Sequence, residues 1–93
     1  MANFKPTWLY IKKHNTTGLQ YFGKTTEDDP IKYPGSGLYW RRHLKKYGND
    51  VSTIWAQIFE NKSELTEYAI RFSVENNIVE SDIWANIKIE NVS

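Results

Sequence analysis

Two segments rich in aromatic and β-branched residues, Trp8-Leu9-Tyr10-Ile11 and Tyr21-Phe22-Gly23-Lys24-Thr25, stand either side of Asn15-Thr16-Thr17-Gly18. Side chains of this kind fit a pleated, half-buried surface, and Asn and Gly supply the turn between two such runs. The pattern therefore predicts an antiparallel hairpin, with strands over Thr7 to Lys13 and Leu19 to Lys24 joined by a turn containing Gly18. A tight hairpin sets Tyr10 beside Tyr21 on neighbouring strands, which makes the two phenols the first candidates for chemistry.

The segment from Thr25 through Gly37 carries two prolines, two glycines and three acids and reads as a loop. Trp40, Leu44 and Tyr47 then recur at i, i+4 and i+7. They predict a helix near 38–47, with Ser36 as N-cap and Gly48 as its stop. Val51 to Phe59 reads as a third strand. Asn61 followed by Glu64 forms a capping pattern that opens a second helix near 62–76, with Leu65, Tyr68, Ala69 and Phe72 as its apolar stripe. A short helical turn over 81–86 and an extended stretch at 87–89 complete the chain. The order ββαβα implies an α+β fold, a three-stranded antiparallel sheet flanked by helices.

Ninety-three residues suffice for one domain, 1–93, and the four tryptophans help so short a chain bury apolar area. With no cysteine, disulfides, thiol redox chemistry and Cys-containing zinc sites are excluded. No apolar run is long enough for a signal peptide or a membrane span, so the expectation is a soluble, intracellular protein without a membrane partner. The net charge of +1 conceals a division. Residues 1–48 hold nine Lys/Arg against three Asp/Glu, and residues 49–93 hold three against eight. Such asymmetry favours one electropositive face and a polyanionic partner; the alternative is that the two halves pair with each other, within one chain or in an oligomer. Arg41, Arg42, Lys45 and Lys46 form like-charged i, i+4 pairs, which cost a helix a little stability and point to nucleic acid as the beneficiary.

The order and spacing of several short stretches resemble the GIY-YIG endonucleases, and more closely the nuclease domains of tailed-phage homing-endonuclease-like proteins. The stretches are Leu9-Tyr10-Ile11, Tyr21-Phe22-Gly23-Lys24-Thr25, Tyr33-Pro34-Gly35-Ser36-Gly37, Arg42 through Asn49, and Ile78 through Asn86. The resemblance runs from about Trp8 to Asn86. It implies metal-dependent hydrolysis of DNA phosphodiesters in the cytoplasm of an infected bacterial host.

By this resemblance Tyr21 helps activate a water, with Tyr10 as its partner. A phenol ordinarily titrates near pH 10, so it needs adjacent positive charge or a metal-bound water to act near neutrality. Lys24 and the basic helix are the candidates for that field and for nucleic-acid binding. Lys32 takes the place of the phosphate-bracing arginine, keeping charge but losing the bidentate fork. His43 is a candidate phosphate contact or proton shuttle. Asn86 matches the family's late asparagine, which helps hold the cleft. The family's glutamate ligand for one Mg²⁺ or Mn²⁺ falls at Ile70, which cannot bind a cation. Glu67, about 60° away around the helix, is the substitute ligand. This departure sets up a second reading: a catalytically impaired derivative that binds nucleic acid, a nucleotide signal or a host defence protein.

Overall fold

The computed structural model of the protein describes residues 4–78 and 80–86. Five elements follow in the order β1 (Thr7–His14), β2 (Gln20–Thr25), α1 (Leu38–Tyr47), β3 (Val51–Phe59) and α2 (Lys62–Glu75). The strands form one antiparallel sheet in the order β2-β1-β3, with helices on both faces, an α+β domain. None of the described helices is long and apolar enough to cross a membrane.

Strand alternation decides which helix covers which face. Leu9, Ile11 and Phe22 point one way and pack with Phe59, Leu65 and Ala69, so α2 lies on their side. Tyr10 and Tyr21 point the other way and pack with Trp40 and Leu44, which seats α1 on the opposite side. The segment after α2 returns along the outer edge of β2. Gln20 forms a parallel bridge with Trp84, taking a hydrogen bond from Ala85 N (2.7 Å) and giving one to Ile83 O (2.8 Å). Trp84 joins the α2-side core and Ala85 the α1-side core, as successive residues of an extended chain do. The expected helical turn over 81–86 is thus turn-like only at its start and strand-like at its end; the stretch 87–89 lies outside the described residues.

Gly18 takes a positive φ of 80° in the hairpin turn, and Gly48 one of 92° where α1 ends, its N–H bonding to Leu44 O. Asn61 caps α2 by accepting a hydrogen bond from Glu64 N at 3.2 Å. The N-cap of α1 is Gly37, one residue beyond the expected Ser36, and no side chain caps it. Packing explains the shift, because Gly37 lies against the Tyr21 ring so closely that a Cβ would come within 2.5 Å of it. The start of α1 is set by that contact instead of by a hydroxyl.

A candidate phosphodiester-binding face

The register pairs Tyr10 with Gly23 and Lys12 with Tyr21, which makes the two tyrosines diagonal neighbours on one face. Their ring centroids lie 6.2 Å apart with the planes tilted by 50°. Gly23 makes the approach feasible, since a Cβ there would sit 2.6 Å from both Tyr10 Cζ and Tyr21 Cε2. Tyr10 is fully buried and meets Tyr33 edge-on at 5.9 Å. Tyr21, 6% exposed, stacks on Trp40 at 5.8 Å, and Trp40 in turn stacks on His43 at 6.4 Å. Trp40 is fixed by an Nε1 hydrogen bond to Pro34 O at 2.8 Å.

Lys12 is the charged residue of this face that the sequence reading missed. Only 1% exposed, its ammonium donates to Pro30 O (2.6 Å), Ile31 O (3.1 Å) and Thr53 Oγ1 (2.6 Å), and it lies 5.3 Å from the Tyr10 ring centroid. Burial pushes its pKa below the ordinary lysine value, opposed by the attraction of Asp29. The buried cation fastens the loop before α1 to the sheet and places positive charge against the tyrosines. Strand alternation could have found it, because Lys12 is two residues from Tyr10 and shares its face. Above it lies a cleft of about 490 Å³ with Lys32 and Tyr33 on its wall, so Lys32 does reach the tyrosine side.

His43 sits at the hairpin end of the same side. Its Nε2 is 2.7 Å from Thr17 Oγ1, and its ring meets His14 edge-on at 5.1 Å. Its pKa is lowered first by burial, then by His14 and Lys46. His14 is buried within the turn: Nδ1 accepts from Thr16 N and Thr17 N, leaving Nε2 to donate to Gly48 O at 3.0 Å. The Trp40 ring stands between His43 and Tyr21 in the stack, so the histidine supports the tyrosine at one remove.

Arg41, Arg42, Lys45 and Lys46 are all exposed on α1, the last three on the side away from Trp40 and Leu44, which hold the helix to the sheet, and Arg41 on its flank. The other expected basic residue is elsewhere. Lys24 pairs with Leu9, whose side chain faces α2, so Lys24 belongs to the far side of the sheet.

Glu67 is also remote from the tyrosines. It lies two residues from buried Leu65, about 200° around the helix, and points away from the sheet. There it pairs with Arg71 one turn later. Ile70 is 41% exposed. Among the described residues no group of three His, Cys, Asp or Glu side chains converges. Glu67 therefore does not fit the role of a divalent-ion ligand beside Tyr21. Asn86 clasps β2: its Oδ1 accepts from Phe22 N (2.9 Å) and its Nδ2 donates to Phe22 O (2.7 Å), with the side chain buried. It holds the strand that carries Tyr21.

None of the family models, curated proteins or solved structures compared with the chain matches it.

Proposed function

We propose that this chain is a GIY-YIG endonuclease-like domain that binds DNA and is impaired in cleaving it. The observation carrying the binding reading is the geometry of α1: Trp40 and Leu44 anchor the helix over the tyrosine face, Arg42, Lys45 and Lys46 are exposed on its outer side, and Arg41 is exposed on its flank. Cations fixed on a rigid helix neutralise backbone phosphates, and the release of condensed counterions makes such binding steeply salt-dependent. Two observations support impairment. Tyr10 is fully buried, and the glutamate best placed by sequence to replace the missing ligand is paired with Arg71 on the outside of α2.

Slow, metal-dependent hydrolysis is the second reading, favoured by the contact between Tyr10 and Tyr21 and by the Asn86 clasp behind them. In this reading Tyr21, cross-strand partner of the buried Lys12, would be the phenol that handles the proton, and Mg²⁺ or Mn²⁺ would have to be held by groups other than Glu67. Both readings place the protein with phage DNA in the cytoplasm of an infected host.

Titration of fluorescent duplex DNA at several salt concentrations tests the proposal. Arg42→Glu with Lys46→Glu is expected to weaken binding at least about tenfold and to lower the magnitude of the log-log salt slope by roughly two. Unchanged affinity and slope would assign the basic helix to another partner. Nicking of supercoiled plasmid with Mn²⁺ separates the two readings: slow nicking that is lost in Tyr21→Phe supports hydrolysis, and no nicking above that variant's background supports impairment.

A further inference from the structure

We propose that a cavity at the open end of the sheet binds a nucleoside phosphate. It lies where the chain enters β1, where β2 ends and where α2 begins, and its volume is about 610 Å³. Concave sites of about 300–1,000 Å³ are the usual size for small-molecule ligands. Three separate segments each contribute a lysine to its wall, Lys5 before β1, Lys24 on β2 and Lys62 on α2, against the one carboxylate, Glu27, that the described residues place there. A multiply charged anion seated in this hollow is attracted by each of the three ammonium groups. Lys62 adds to the case: it is the first residue of α2, where the helix dipole disfavours a cation, so the helix itself gains nothing from it.

The remaining wall is suited to an organic group. Phe4 and Tyr33 offer rings and Leu65 an apolar floor, while the exposed Thr26 offers a hydroxyl. Rings and lysines together match a ligand with a flat base at one end and phosphate at the other, because every nucleobase has a face that stacks on an aromatic side chain. Lysine serves here as a point charge, which suits a phosphate that can be approached from several directions. No residue of α1 lines the cavity, and its lysines stand on other segments: Lys5 precedes β1, Lys24 is on the face of β2 covered by α2, and Lys62 opens α2, so the proposal does not depend on how α1 meets DNA.

Calorimetric titration of the full 93-residue chain with ADP, and separately with inorganic phosphate, tests it. One ADP is expected to bind per chain. Lys5→Glu with Lys62→Glu, both at exposed positions, is expected to weaken ADP at least about tenfold with an unchanged circular dichroism spectrum, whereas Arg42→Glu with Lys46→Glu changes it less than about twofold. Phe4→Ser is expected to weaken ADP while leaving inorganic phosphate unaffected, the signature of a base subsite that a general loss of positive charge would not give. A 5′-phosphorylated trinucleotide that displaces ADP identifies the ligand as a strand end, and failure to displace it identifies a free nucleotide. No ADP binding at millimolar concentration, or an equal loss in the α1 variant, overturns the proposal.

Discussion

Tyr10 and Gly23 face each other across β1 and β2, and the phenol of the first occupies the space where a side chain on the second would stand. Because Tyr10 is fully buried it has nowhere to retreat. Gly23→Ala should therefore act as overpacking, lowering stability by about 1–3 kcal/mol in urea denaturation. It should also disturb the Tyr10–Tyr21 contact. Gly18→Ala is a useful contrast, because nothing lies within 4 Å of its added Cβ and only the positive φ opposes it.

Lys12 makes the stability of the domain sensitive to alkali. With its folded pKa below the unfolded value of 10.5, the unfolded chain binds more protons between those two values, so unfolding free energy rises with pH through that window. Lys12→Met should abolish this rise. At neutral pH the same variant leaves the Pro30 and Ile31 carbonyls without their donor and should lose about 1–3 kcal/mol. Denaturation curves at several pH values check both effects.

His43 acts in the acid range with the same sign. Its folded pKa lies below 6.5, so the unfolded state takes up more protons between the two values and stability falls as pH drops through about 6.5 toward the folded pKa. Proton NMR should find the His43 titration midpoint below that of an ordinary histidine. His43→Gln should lose less stability than the natural protein between about pH 7 and about pH 5.

Cleavage, where it occurs, should depend on Tyr21 and not on Glu67. Tyr21→Phe removes only a hydroxyl and should abolish any Mn²⁺-dependent nicking while preserving the fold. Glu67→Gln should leave nicking unchanged, because the carboxylate is engaged by Arg71 on the outside of α2. Ile70→Glu should be tolerated at its exposed position, and an increase in nicking by this variant would identify the ligand that the chain lacks. A plasmid-nicking series on the four proteins distinguishes these outcomes.

Local chemistry made most of the fold legible. The hairpin follows from two β-branched and aromatic runs about a glycine turn, and α2 from an asparagine cap and an apolar stripe, all signals confined to a few neighbouring residues. The start of α1 was displaced because its determinant is a contact between Gly37 and Tyr21, sixteen positions away. The site was legible only in part. The shared face of Tyr10 and Tyr21 follows from hairpin pairing, and alternation alone puts Lys12 with Tyr10 and Lys24 on the opposite face; what is not local is the loop whose Pro30 and Ile31 carbonyls receive the Lys12 ammonium. Glu67 was a candidate by helical angle relative to Ile70 alone. Which side of that helix meets the sheet is settled by Leu65 and Ala69 packing with Leu9, Ile11, Phe22 and Phe59.

The double hydrogen bond between Asn86 and Phe22 has a consequence for how the chain folds in time. It closes a span of 64 residues, and until it forms β2 keeps its outer backbone groups open to water. Contacts of long sequence separation are reached late, since loop closure must be met before they contribute. On the ribosome, the strand carrying Tyr21 is therefore made early but gains its last neighbour only after residues 83–86 have emerged. During that interval an intermediate with an uncovered strand edge is the species most exposed to mispairing with other nascent chains.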